Sequence, residues 1–282
     1  MAITNFIPEI WSSSLLVNLR DQLVFGQLGV INRNYEGDIA QAGDTVHITS
    51  FADPATRPYV RNNPISYDVL SDDTLALVID QSRYFAFSVD DLDRRQALSG
   101  FVAETTLGAS YNLAADADDY IAGLMVDGAG NTVDGSGVDE PKEAYELLVA
   151  LRTSLTRSNT PRPGRWAIVP PEFYALLLQD DRFVRVDASG TSDGLRNGMV
   201  RRAAGFDVIE SNVAPTDGSA AVIVAGHGIA TTYAEQIVDT EALRLETTFG
   251  DGIRGLHLYG AKVIRPDNLV IAEVPGLITV ES

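Results

Sequence analysis

The chain contains no cysteine. That removes disulfides, thiolate metal sites and cysteine nucleophiles from consideration. Its 3 histidines, His47, His227 and His257, lie far apart and without ligand-like spacing. Lysine is nearly absent: Lys142 and Lys262 are its only representatives, and 21 basic residues stand against 39 acidic ones. A protein that grips nucleic-acid phosphates needs a basic face. A net charge of −18 argues against that mode of action. The acidity serves solubility, or it keeps a surface near DNA from adhering to it; composition alone leaves both readings open. Long apolar runs are also missing. "AAVIVAG" at Ala220 to Gly226 is too short to cross a bilayer. The start, "MAITNFIPEIW", has neither the basic residues nor the continuous apolar region of a signal peptide, so folding in the cytosol is expected.

What is present is enough apolar material, 45% of 282 residues, for one large domain or two modest ones. The segment "PEIWSSSLLVNLRDQLVF" places Ile10, Leu15, Leu16, Leu19, Leu23 and Val24 at helical spacing, with Ser12, Ser13 or Ser14 as a cap and Gly26 and Gly29 as the end. An amphipathic terminal segment must lie against something, its own domain or a neighbour.

"GDTVHITS" at Gly43 to Ser50 alternates as a half-buried strand, and "TLALVIDQSRYFAFSV" at Thr74 to Val89 supplies the returning strand or strands. Between them, Pro54, Pro58 and Pro64 stiffen a polar segment that cannot build its own core. The pattern predicts an extended hairpin that needs another chain for support.

The most informative stretch is Tyr84 to Met125, "YFAFSVDDLDRRQALSGFVAETTLGASYNLAADADDYIAGLM". A strand runs into one long helix, with Ser88 and Asp91 as a capping-box-like pair. Continuous from about residue 90 to 125, it would measure roughly 50 Å. "DGAGNTVDGSGVD" then reads as a flexible interdomain turn. From Pro141 to Glu235, helices and strands alternate, which suggests a compact two-layer unit. "GIRGLHLYGAKVIRPDNLVIAEV" is strand-rich and should return to the region of the long helix.

No catalytic constellation emerges. Asp116, Asp118 and Asp119 lack the glycine and bidentate glutamate of a calcium loop and read as a solvated helix face. "DGAGNTVDG" has Val133 where a dinucleotide fingerprint needs its third glycine. His227 has no nucleophile elbow near it. The residues left for function are charged or aromatic and suited to interfaces. They are Arg57, Tyr59 and Arg61 at the hairpin tip, Asp72 and Asp73 at its return, and Arg201 and Arg202 before "AAGFDV". Arginine forks pair bidentately with carboxylates of another chain.

The order of these elements, with "RYFAFSVDDLDRRQA", "WAIVPPEFYALLLQDDRFV", "GMVRRAAGFDVIESNVAP" and "LHLYGAKVIRPDNLVIAEV", resembles the major capsid proteins of tailed double-stranded DNA bacteriophages. The resemblance implies an α+β chain with the Hong Kong 97-type phage capsid fold. Its parts would be an N-terminal arm (1–42), an extended loop hairpin (43–87), a peripheral domain with a spine helix (88–139), an axial α/β domain (140–240) and return strands (241–282).

The resemblance also implies a structural protein, not an enzyme, with no cofactor and no bound metal. It would self-assemble as pentamers and hexamers of an icosahedral shell in the host cytoplasm and become the virion capsid, with expansion during procapsid maturation. Implied partners are a separate scaffolding protein, a portal protein and a decoration protein, with DNA enclosed without sequence-specific binding and no membrane. The extended loop has no lysine, which argues against covalent cross-linking. The alternatives are an encapsulin-like nanocompartment shell and, further off, a soluble hydrolase.

Overall fold

The structure, a computed structural model, describes residues 23–34, 45–51, 58–59, 61, 72–90, 101–180, 182, 202–217, 220–244 and 250–275. Three sheets organise them. Strands β1 (Thr45–Phe51) and β2 (Asp72–Val78) form an antiparallel hairpin. Strand β3 (Gln81–Asp90) follows almost without a break. It forms the edge of a three-stranded antiparallel sheet with β10 (Thr231–Arg244) and β11 (Gly250–Val263), in the order β10-β11-β3. At 14 residues each, β10 and β11 make a ribbon roughly 45 Å long.

The third sheet has seven strands. Its order is β4 (Asn131–Asp134), β12 (Leu269–Pro275), β9 (Ala220–His227), β5 (Arg165–Val169), β7 (Phe206–Glu210) and β6 (Arg202–Ala203), with β8 (Thr216–Asp217) paired to β9. Both faces are covered, so its central strands are apolar throughout instead of alternating. Ala167, Val169, Ile223, Ala225, Val270 and Ala272 pack against helix α2 (Pro141–Arg157) and helix α3 (Pro171–Gln179). Trp166, Ile168, Val222, Val224 and Leu269 face the other way, toward the long helix α1 (Phe101–Asp127). The result is three layers, where helix–strand alternation alone suggested two.

Helix α1 has 27 residues, about 40 Å. It buries Leu113, Ala114, Ala117, Ile121, Ala122 and Met125, at spacings of three and four. The alanines let it approach both sheets. The expected start at Ser88 is not observed. Ser88, Val89 and Asp90 lie in β3, paired with Gly252, Asp251 and Gly250, so tertiary pairing overrides the local capping pattern. Helix α2 is capped through Glu143, whose carboxylate accepts from the backbone N–H of Asp139 (2.9 Å) and Glu140 (3.1 Å).

The glycine-rich segment after α1 is not a loose turn. Asn131–Asp134 pairs in parallel with β12. A Cβ on Gly130 would lie 2.8 Å from the Pro266 carbonyl, and one on Gly135 would lie 2.6 Å from the Glu273 oxygen. These glycines are required by close backbone approach. The expected return strands divide between sheets: β11 joins the three-stranded sheet beside α1, whereas β12 lies inside the seven-stranded sheet.

Candidate assembly surface

The hairpin is rooted firmly at its base. Leu77 and Ile79 are buried with Ala234 and Leu258, and Leu75 and Ile264 pack around them. The Lys262 ammonium donates to the Ala76 carbonyl at 2.8 Å. Between β1 and β2 the described residues are exposed. Pro58 and Arg61 are exposed, and Tyr59 keeps 77% of its surface. Arg57 lies outside the described residues. Asp72 and Asp73 open β2, opposite Phe51 and Ser50.

Arg201 also lies outside the described residues. Arg202 sits on β6 at the margin of the seven-stranded sheet, in a different sheet from the hairpin. Its Nε donates to Asp207 Oδ1 at 2.6 Å, and this bond, with the Asp207 charge, raises its pKa. Both partners are exposed, so the pair contributes little to stability.

A second feature escaped the sequence reading. Residues 23–34 form a turn held on α1 and β10 by buried polar groups. The backbone N–H of Val24 donates to Asp118 Oδ2 (2.6 Å), and those of Phe25 and Gly26 donate to Oδ1 (3.0 Å each). Asp118 is thus buried, 2% exposed, not part of a solvated face; Asp116 and Asp119 are exposed. Burial pushes the Asp118 carboxyl up to about 6, and the three N–H donors oppose that rise.

Beside it, Arg33 donates through Nε to the Gly26 carbonyl (2.7 Å) and through Nη1 to Glu235 Oε1 (2.8 Å). The Tyr233 hydroxyl donates to Glu235 Oε2 (2.7 Å), and His257 Nε2 lies 3.4 Å from the same oxygen. Burial disfavours the Glu235 charge, but His257, Arg33 and the Tyr233 hydroxyl outweigh it and hold the carboxyl down at about 2. Asn32 completes the clamp by bridging to Thr232 along β10. Leu23 and Val24, expected to continue a helical pattern, belong to this turn, and the earlier residues of that pattern, Ile10 to Leu19, lie outside the described residues. One signal was legible: Asp118 falls three to four positions from Ala114, Ile121 and Ala122, on the apolar side of α1.

The remaining geometry is that of surfaces. His227 Nε2 lies 2.9 Å from the Pro163 carbonyl while Nδ1 accepts from the Ile229 N–H, which makes it a turn staple. Among the described residues, no group of three or more His, Cys, Asp or Glu converges as a metal site, and no helix is long and apolar enough to cross a membrane. An open cleft of about 620 Å³ runs between β3 and α1, lined by Tyr84, Phe85, Phe87, Asn112, Leu113 and Asp116. Tyr84 is 78% exposed there.

A long helix between two sheets, a hairpin buried at its base and an open cleft beside the helix are surfaces on which an assembly can be built. The comparisons give the class of protein that carries them. The family model described as phage capsid protein matches residues 71–272. The structure from Mycobacterium phage Che8 superposes with a TM-score of 0.73 at 32% identity, covering 96% of this chain and 98% of that one. The capsid of cyanophage P-SCSP1u gives 0.68 at 13% identity, covering 84% of each chain. The virus-like particle from Pyrococcus furiosus gives 0.57 at 15%, covering 94% of this chain and 99% of that one. No curated protein sequence matches the chain. The chain belongs to the phage capsid protein family, with the Hong Kong 97-type fold; it is a structural protein of an icosahedral bacteriophage capsid.

Proposed function

We propose that copies of this chain assemble as pentamers and hexamers of a shell that encloses double-stranded DNA, and that the hairpin of one copy lies over its neighbour. The observation that carries this reading is the contrast within the hairpin. Its base is buried through Leu77 and Ile79, whereas Tyr59 and Arg61 at the tip are exposed. The β3–α1 cleft is the receiving surface. Its aromatic wall suits Tyr59, and Asp116 and Asp119 on the exposed side of α1 suit Arg57 and Arg61. Asp72, Asp73, Arg201 and Arg202 form secondary contacts at the subunit boundaries.

In this reading the arm spans 1–42, the extended loop 43–87, and the peripheral part the stretch from 88 to the end of α1 with β11, the rest of 88–139 passing into the axial sheet through β4. The axial part is the seven-stranded sheet with α2 and α3. Weak contacts let misplaced subunits leave, while many together make a closed shell durable. The acidic surface repels the DNA cargo. A scaffolding protein, a portal and a decoration protein act on this shell in the host cytoplasm, and maturation moves the domains as rigid bodies. No reaction is assigned to the chain. The encapsulin-like reading is weaker, because the 32% identical structure is from a phage. Electron cryomicroscopy of the expressed protein tests the proposal. Closed shells with five- and six-fold positions support it, and a uniform population of monomers at all concentrations contradicts it.

A further inference from the structure

The seven-stranded sheet is polarised in charge along its strands. β4, β12, β5 and β7 run parallel to one another, so their starts share one end of the sheet and their finishes the other. Helix α2 runs back against them. The Ser158 hydroxyl, just past the helix, bonds Asn131 at the start of β4, while Leu147 packs at Gly135 beyond its finish.

The start end is basic. Between Glu146 and Glu172 the chain carries four arginines and no acidic residue. Arg165 is buried and donates to the neutral oxygens of Pro161, Thr156 and Thr160; Arg152, Arg157 and Arg162 are exposed. Burial lowers the Arg165 pKa, and the charges of Arg152 and Arg162 lower it further, so these cations repel one another. Asp127 and Asp267 are exposed at the same end. Among the described residues, however, no carboxylate lies within ion-pair distance of any of the four arginines. The finish end is acidic. Asp134 closes β4, and Glu273 lies directly beside it on β12. Both are exposed, as is Asp139 ahead of α2. Like charges on neighbouring strands repel, and neither Asp134 nor Glu273 has a cation partner among the described residues.

We infer that two copies of this chain meet head to tail through this unit, with Arg157 and Arg162 of one copy set against Asp134 and Glu273 of the next. Each end carries unbalanced charge of one sign, and each is the counterion of the other. Arginine forks suit such carboxylates. A contact between two different patches of the same chain is heterologous, and it closes into a ring when the rotation between copies allows. The inference rests on the shell reading and names the contact that would build its rings.

Two variants of the full-length chain test it. Arg157→Glu/Arg162→Glu is acidic at both ends, and Asp134→Arg/Glu273→Arg is basic at both, although each variant remains strongly acidic as a whole. At about 0.15 M ionic strength, repulsion beyond about 8 Å is screened while contact pairs persist. By sedimentation velocity each variant alone should stay dissociated where the native chain associates. Their mixture should associate at least about tenfold more tightly than either component. The fourfold variant, which carries both exchanges, inverts the polarity and should recover native association, a result that misfolding cannot imitate. A mixture no tighter than its components, or a fourfold variant as dissociated as its parents, would overturn the inference. So would retention of duplex DNA by the native chain that is lost in Arg157→Glu/Arg162→Glu, since the arginines would then serve the cargo. The two readings fail separately. Closed native shells without pairing of the variants reject this contact alone, whereas pairing of the variants without native shells upholds the contact and rejects the shell.

Discussion

The Asp118 carboxylate on the spine helix accepts the backbone N–H of Phe25 at 3.0 Å, across 93 positions of sequence. Through this bond and its two neighbours, Val24 to Gly26 are fixed to the long helix α1 ahead of the hairpin. The arm turn is thereby satisfied within one subunit, whereas the described tip residues Pro58, Tyr59 and Arg61 are exposed.

The pH dependence of this staple follows from its sign. Asp118 titrates at about 6 in the folded protein, against 3.8 for a free aspartate. A raised carboxylate pKa contributes stability that is complete below 3.8 and lost as the pH rises through 6. The stability of the native protein relative to Asp118→Asn should therefore fall between pH 4 and 6, by up to about 3 kcal/mol. Urea unfolding across that range, with both proteins in parallel, measures the difference. Glu235 acts oppositely: its contribution is present above 4.5 and is lost as the pH falls through about 2, and it cancels in this comparison because both proteins keep Glu235.

Arg33 and Glu235 should couple strongly. Their side chains are buried and 2.8 Å apart. Arg33→Met leaves a buried carboxylate short of its cation and should cost about 3–5 kcal/mol. The pair Arg33→Met/Glu235→Gln should cost clearly less than the sum of the single changes. Thermal or denaturant unfolding of the four proteins closes the cycle.

Gly130→Ala should destabilise the protein by about 1–3 kcal/mol, because the added methyl meets the Pro266 backbone at 2.8 Å. Gly137→Ala, where nothing lies within 4 Å, should be nearly neutral. A matched pair of melting curves distinguishes a close-approach glycine from a free hinge.

Assembly should respond to salt. Subunits of charge −18 repel one another, and screening shortens that repulsion from about 30 Å at 0.01 M to about 8 Å at 0.15 M ionic strength. Sedimentation velocity across a salt series should show larger particles as ionic strength rises; an unchanged distribution counts against the electrostatic account.

Much of this fold was legible locally. The alternation at Val46 and Ile48 and the apolar spacing from Leu113 to Met125 each announce one period, and both elements formed. What failed was decided by distant partners. Ser88 and Asp91 look like a helix cap, yet Phe85 and Phe87 continue a strand alternation that Gly252 and Ile253 complete from across the chain. Gly130 and Gly135 look flexible because composition cannot reveal that Pro266 and Glu273 press against them. Asp118 was hidden among acidic neighbours. Its position on the apolar side of the helix was readable, but its partners are backbone N–H groups that no side-chain motif marks. Among the residues expected at interfaces, Arg202 proved to have an exposed partner in Asp207, directly opposite it across the short β6–β7 hairpin, a pairing that sequence did not specify.

The most direct test is removal of the hairpin tip, residues 53–63, followed by analytical ultracentrifugation and electron microscopy under conditions in which the native chain forms shells. The account predicts a folded subunit with a melting curve close to native, because the base is held by Leu77, Ile79 and Lys262, and failure to close shells. Normal shells from the trimmed chain would contradict it.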